Sequence, residues 1–366
     1  MADITVNVQP CGRVQRILIH SGNSGKSEVA HITAQISCRT HIKILTCIVK
    51  RRPLTFIMPK FEPVPSSFGN LKDKVVVLTG GAHGVGESVI RYLYGVGAHV
   101  FFGDIDDKAC QTLVDDLKAG KTSSTSLQYI PLDVRKYEDN LALFKLAYEK
   151  HGRIDHAFSI AGVTERQNWF EASLDLKTVE TPPSTLVLDV NLTGLCYFAR
   201  IATVYLRQGN DDHSQDKSIC LLGSIASFKE QAGLFIYQPS KHGVIGLMRS
   251  TRKLLYHEYG IRINTICPSL INTGMASHIH SLWLGKGLPV NEADEVAQYV
   301  LTLTSIPQSP FGNMTGLAVY VEGGKGWEFE NDLYRTDSDW LGEENSKNTA
   351  RIDEALGIGL SWTASK

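Results

Sequence analysis

The chain has 366 residues, 43% of them hydrophobic and 20% charged, and a net charge of −1. That length and composition describe one large globular domain with extensions or two ordinary ones, with a substantial core, and they exclude nucleic acid as the main partner because phosphate binding needs a basic surface. The seven cysteines (Cys11, Cys38, Cys47, Cys110, Cys196, Cys220 and Cys267) are scattered without a CxxC pair, which excludes a zinc or disulfide framework and suits a reducing, cytoplasmic setting.

No uninterrupted apolar stretch approaches the length of a membrane helix, so no membrane span is expected. Residues 1–57 carry eight basic and two acidic side chains, a balance of +6 against −7 for the rest. A mitochondrial transit segment is one reading of such an acid-poor leader. The preferred reading is a dispensable extension, because Met58 opens Met-Pro-Lys-Phe-Glu-Pro-Val-Pro, an ordinary beginning for a domain. Pro59, Pro63 and Pro65 with Ser66 and Ser67 read as a stiff linker over 58–70.

The domain itself is expected over 71–325. Val75-Val76-Val77-Leu78 is a continuous apolar run, the signature of a strand buried on both faces of a parallel sheet. A helix from Ser88 to Tyr94 follows, then strands at Val100–Gly103, Tyr129–Leu132 and His156–Ser159. The second half gives a long helix from about Ser184 to Leu206, a strand Ser218–Gly223, a helix over 237–258 and a strand Arg262–Cys267. Ala318–Val321 closes the sheet. Alternating strands and helices define an α/β fold, a Rossmann-type doubly wound parallel sheet flanked by helices. Residues 326–366, with Trp327, Trp340 and Trp362, read as a C-terminal extension over the surface.

Two clusters carry chemistry. In Thr79-Gly80-Gly81-Ala82-His83-Gly84-Val85-Gly86 the glycines permit a tight turn and close backbone approach to a pyrophosphate held at a helix N-terminus, so Gly80, His83, Gly84, Val85 and Gly86 are the candidate contacts. Asp104 follows Gly86 by 18 residues at a strand end, where a carboxylate binds the adenine ribose hydroxyls. Neither Ile105 nor His83 supplies a firm positive charge for a 2′-phosphate, so NAD is favoured over NADP. The second cluster is Ser224 and Tyr237-Gln-Pro-Ser-Lys241. Tyr237 and Lys241, at i and i+4, share a helix face. A nearby ammonium lowers a phenol's pKa and lets it serve as base for a secondary alcohol or acid for a ketone. Ser224 holds the substrate oxygen. Pro239 is tolerated in a first helical turn, which puts Tyr237 at the helix start.

With these motifs in order, the chain resembles the short-chain dehydrogenase/reductase family over about residues 70–325, adding Asp133, Ala161-Gly162, Val190-Asn191, Pro268 and Thr273. The run Ser240-Lys241-His242-Gly243-Val244 is similar to NAD-dependent alcohol and 15-hydroxyprostaglandin dehydrogenase-like members, fungal ones in texture. The resemblance implies that Asn191 completes a proton relay through water to Lys241, whose ammonium also holds the nicotinamide ribose. It implies that Asp133 and Val134 frame the adenine, that Gly162 touches the cofactor, and that Ile271 and Thr273 hold the carboxamide. It implies an oxidoreductase moving a hydride between NAD(H) and a secondary alcohol or ketone, in terpenoid or polyketide secondary metabolism. An NADPH-dependent ketoreductase and a non-catalytic nucleotide-binding regulator are the competing readings. Two departures stand out: Ser159-Ile160 replaces the family's Asn-Asn, so lost strand-supporting contacts must come from elsewhere, and Pro268-Ser269 replaces Pro-Gly.

Between Gly274 and Pro289 lie Met275, Ile279, Leu282, Trp283, Leu284 and Leu288. In this family the segment covers the substrate, and its apolar content points to a hydrophobic small molecule; packing on the domain is the equal alternative. His278 and His280 do not share a helical face, so no metal site is expected. Leu195, Phe198, Val204, Val244, Leu247, Met248, Leu254 and Leu255 look surplus to one core-facing stripe, and the family resemblance implies that their two helices pair in a homodimer or homotetramer.

Overall fold

A computed structural model describes residues 29–38, 41–50, 59–119, 125–309 and 312–357. It divides the chain into two units, Met1–Ile57 and Met58–Lys366. In the first, β1 (Val29–Cys38) and β2 (His41–Lys50) pair antiparallel, Val29 opposite Lys50 and Cys38 opposite His41. Both are rich in β-branched residues, which favour the pleated backbone, although the sequence reading assigned them no strands. The expected leader otherwise falls on residues 1–28, 39–40 and 51–57, outside the described residues.

The second unit opens with β3 (Lys60–Phe61) and a 3₁₀ turn at Pro65–Leu71. There follow β4 (Val75–Thr79), α1 (Gly84–Val96), β5 (His99–Asp104), α2 (Asp107–Lys118), β6 (Leu127–Pro131), α3 (Tyr137–His151) and β7 (His156–Ser159). After a long loop come α4 (Leu186–Leu188), a π-helical turn (Asp189–Gly194) and α5 (Leu195–Leu206). Then β8 (Lys217–Leu222), α6 (Tyr237–Tyr259), β9 (Ile261–Pro268), α7 (Ser277–Gly285) and α8 (Ala293–Ser305) complete the alternation. A two-residue pair β10 (Gln308–Ser309) and β11 (Gly312–Asn313) precedes β12 (Ala318–Glu322) and β13 (Lys325–Glu328). The described chain ends in α9 (Glu330–Arg335), α10 (Asp337–Trp340) and α11 (Glu343–Leu356).

Nine strands form one sheet in the order β3-β13-β12-β9-β8-β7-β4-β5-β6. From β12 to β6 all pairs are parallel. The order reverses between β4 and β7, the switch point outside which such sheets bind ligands. Along β4 the side chains alternate between the two cores. Val76 and Leu78 face Leu93, Phe102 and Val300, while Val75 and Val77 face Phe144, Phe198 and Met248.

Three expectations need correction. The segment 58–70 is no spacer. Lys60 and Phe61 pair with β13, Phe68 and Leu71 are buried, and Val64 N donates to Thr302 Oγ1 at 3.0 Å, so Pro65 starts a 3₁₀ turn packed on α8. Likewise β12 does not close the sheet. β13 turns back antiparallel beside it with Trp327 stacked on Tyr320, so a boundary at 325/326 would cut a strand. The helical run Leu186–Leu206 is 21 residues long and apolar enough by composition to cross a membrane, although Asp189 and Arg200 interrupt its apolar stretch. Here it packs on β7 and β8 with Phe198 and Ala202 fully buried. Finally, five of the eight residues expected to be surplus (Leu195, Phe198, Val244, Met248 and Leu255) lie in the intramolecular core. They fill the face between sheet and helices, leaving Val204 exposed and Leu247 and Leu254 half-buried.

Candidate active site

At the carboxyl end of β4 the chain turns through Gly80, whose φ of +77° is the left-handed conformation glycine adopts freely. A Cβ there would meet Ala161 N at 2.5 Å, and one on Gly86 would meet Gly80 O at 1.9 Å. The turn is therefore too tight for side chains and presents bare backbone. α1 starts at Gly84 with His83 as N-cap and no side-chain capping bond, leaving first-turn N–H groups and a positive dipole end for an anion. This cradle fits the pyrophosphate of a dinucleotide.

Asp104 ends β5 beside it, Oδ2 accepting from Ala82 N at 3.0 Å and Oδ1 from Asp106 N at 3.1 Å. Ile105 is 76% exposed, and the His83 ring is turned onto Asp106, Nε2 to Oδ2 2.9 Å. Asp133, beyond β6, is held by the Arg135 guanidinium, whose bond keeps the carboxyl below its usual range against the cost of burial. Val134 beside it is buried. Thr273 reaches the glycine turn from the far side, its Cγ2 3.0 Å from where a Gly84 Cβ would lie. Ile271 is placed by a parallel bridge to Asn291. Gly80, Gly84, Asp104 and Thr273 thus gather at the carboxyl ends of β4 and β5, while Asp133 and Val134 follow β6 and Ile271 follows β9. The contacts expected from the family's missing Asn come from the backbone: Ile160 N and Ala161 N both donate to Thr79 O, at 3.2 and 3.1 Å.

The second cluster also converges. Ser224, after β8, caps a short 3₁₀ turn in a reciprocal pair with Ser227, its Oγ accepting from Ala226 N at 3.2 Å. Tyr237 is the first residue of α6. Lys241, one turn on, is buried with Nζ 5.7 Å from the Tyr237 ring centroid and donates to Leu222 O at 2.9 Å. Burial pushes this ammonium down to about 8. Burial also pushes the Tyr237 phenol up, with the Ser224 hydroxyl working the other way. This reverses the expected depression of the phenol: the ammonium is anchored to a carbonyl, and desolvation dominates.

Asn191 lies in the π-helical turn, a distortion frequent at functional sites. Its Oδ1 accepts from Val163 N at 2.8 Å, and its Nδ2 donates to Val163 O at 2.9 Å and Ser240 Oγ at 3.2 Å. The amide is committed to holding the loop after β7. A Cβ on Gly162 would lie 3.2 Å from Asn191 Oδ1 and 3.6 Å from Lys241 Nζ, so the loop after β7, the π-helical turn and α6 meet at this glycine. A cleft of about 500 Å³ opens next to it, between residues 162–166 and Gly274, Met275 and Ser277. On the covering segment Leu282 and Leu284 are exposed, while Trp283 is tied to Pro289 O by its indole N–H.

Sequence reasoning missed two residues here. Asn291, fully buried, bonds Leu270 O, Val321 O and Gly324 N and so fixes the strand end that carries Ile271. Glu165 reaches from the loop after β7 to the start of α6. Neither belongs to a local pattern that could have betrayed it.

The short chain dehydrogenase family model matches residues 74–281, and the chain belongs to the short-chain dehydrogenase/reductase family, oxidoreductases that act on CH–OH groups with a nicotinamide cofactor. Short-chain dehydrogenase/reductase ascJ of Acremonium egyptiacum is 37% identical over 206 residues, which is 56% of this chain and 66%, just under two thirds, of that relative. (+)-Borneol dehydrogenase 1 of Salvia officinalis is 30% identical over 266 residues, 69% of this chain and 94% of that relative. The crystal structure of levodione reductase superposes with a TM-score of 0.56 at 24% identity, covering 69% of this chain and 98% of that one; it shows the fold.

Proposed function

We propose that the protein moves a hydride between NAD(H) and a secondary alcohol or ketone on a hydrophobic small molecule, with Tyr237 as acid/base. The observation that carries this is the position of Lys241, whose Nζ lies 5.7 Å from the Tyr237 ring centroid and 3.6 Å from where a Cβ on Gly162, at the edge of the cleft, would lie. When bound, a nicotinamide dinucleotide supplies the hydride acceptor or donor. Gly80, Gly84 and Gly86 with the α1 N-terminus hold its pyrophosphate, Asp104 its adenine ribose and Lys241 its second ribose; Asp133, Val134, Ile271 and Thr273 flank the two rings. Ser224 orients the substrate oxygen. Tyr237, protonated at neutral pH as a phenol is, is ready to protonate a carbonyl oxygen, and alcohol oxidation requires that proton to leave first. Because the Asn191 amide is committed, its part in a relay falls to the main chain of the π-helical turn and a water.

NAD is preferred over NADP because Asp104 stands where a 2′-phosphate would lie and His83 is paired with Asp106. Exposed Met275 at the cleft, with Leu282 and Leu284 exposed further along the same segment, supports an apolar substrate. So does the name of the borneol-oxidising relative, and a role in terpenoid or polyketide secondary metabolism follows from the same chemistry. Homo-oligomerisation, as in the family, stands beside this reading. The test is a panel of cyclic and acyclic secondary alcohols and their ketones, assayed with NAD(H) and NADP(H). Turnover at least about tenfold better with NAD(H) is expected. Tight NADH binding without turnover on any member would replace the enzyme reading with a nucleotide-binding regulator, and preference for NADPH would overturn the role of Asp104.

A further inference from the structure

The helix that carries Tyr237 begins without a cap of its own. Its N-cap, Ile236, has no side-chain acceptor, Pro239 in the first turn has no N–H, and Gln238 N is met by Leu234 O at 3.0 Å. The two remaining N–H groups, of Ile236 and of Tyr237 itself, both donate to Glu165 Oε2, at 2.8 and 2.9 Å. Glu165 comes from the loop after β7, 71 and 72 residues away in sequence, and lines the cleft. Two residues before it, Val163 is gripped at both its N–H and its C=O by Asn191. The loop is therefore tied at one end to the π-helical turn and at the other to the backbone of the acid/base residue.

We propose that Glu165 is a positioning residue for Tyr237. Its carboxylate fixes the first turn of α6 against the cleft wall and so sets where the phenol stands relative to Ser224 and the substrate oxygen. Bonds from N–H to a carboxylate are roughly twice as strong as neutral ones, and a negative charge at a helix N-terminus adds to the hold. Glu165 takes no part in proton transfer. This inference rests on the acid/base reading of Tyr237 given above.

The test compares Glu165→Ala, Glu165→Gln and Glu165→Asp in the full chain with Tyr237→Phe as the parallel control, using an alcohol turned over by the unmodified protein. Glu165→Ala is expected to lower kcat about tenfold or more, since small misplacements of a reacting group are costly. KM for the alcohol and the Kd for NADH should stay within about twofold, because Glu165 caps a helix rather than touching the glycine cradle. Glu165→Gln keeps an acceptor at the same reach and is expected to restore kcat to within about threefold. Glu165→Asp, one methylene short, should resemble Ala while keeping its melting temperature, which covers the case where Ala fails to fold. Unchanged kcat in Ala, or in Asp where Ala does not fold, overturns the proposal; so does a Gln variant as slow as Ala, because an acceptor at the same reach should still hold the two N–H groups. If Tyr237→Phe keeps its turnover, the underlying acid/base reading has failed; if it is inactive while Glu165→Ala is normal, only the positioning role has.

Discussion

The two ends of the central sheet treat buried charge in opposite ways. At the amino ends of the strands, Asp155 before β7 takes bonds from Lys217 Nζ at 2.9 Å and Val75 N at 2.8 Å, and Lys217 also donates to Ile154 O. Against the cost of burial, these bonds hold the Asp155 carboxyl down to about 2. Arg262 of β9 is equally saturated, by Asp216 and by the carbonyls of Leu303, Met314 and Thr304. At the carboxyl ends the buried Lys241 meets a carbonyl rather than a carboxylate, and its ammonium is pushed down to about 8. Charges at one end are paired and structural. At the other end the Lys241 ammonium has no carboxylate partner among the described residues and holds its proton weakly enough to titrate near neutral pH, a perturbation of the kind that clusters at functional sites.

Breaking the saturated end should cost the most. Lys217→Met removes the buried partner of Asp155 and leaves the half-exposed Arg153 as its cation, and a stability loss of about 1.5–3 kcal/mol is expected in urea unfolding, with kcat of the folded fraction unchanged. Because the Asp155 pKa is depressed, the pair's stabilisation is present above the unfolded carboxylate range and is lost as pH falls toward about 2. A loss within about 1 kcal/mol would show that the pair contributes little to the fold.

The unsaturated end should respond to pH instead. The Lys241 ammonium is present below about 8 and lost above it. A cofactor that meets the ammonium binds the protonated form more tightly, so NADH affinity should weaken between about pH 7 and about pH 9, by up to about tenfold. Lys241→Ala should bind weakly at both pH values with no such slope. A flat profile in the unmodified protein would separate Lys241 from the cofactor.

The sequence told these two ends apart unequally. Val75–Leu78 was legible as a buried strand because both its faces are apolar. The glycine turn and the Tyr237–Lys241 pair were legible because their chemistry demands fixed local spacing. What escaped depends on distant partners. Glu165 acts on residues 71 and 72 positions away. β3 has only two residues and exists because β13 lies beside it. The prolines of 58–70 read as a spacer until Phe68 and Leu71 found a core. The direction of the Tyr237 shift was misjudged for the same reason: a nearby ammonium can be read from i,i+4 spacing, whereas desolvation belongs to the folded molecule.

The account turns on one proton at Tyr237. Tyr237→Phe removes it while keeping the ring. With an alcohol from the panel, turnover should fall by a factor of at least about a hundred, with NADH binding and melting temperature close to those of the unmodified protein. A Tyr237→Phe protein that folds, binds NADH and turns over at a near-normal rate would contradict the account.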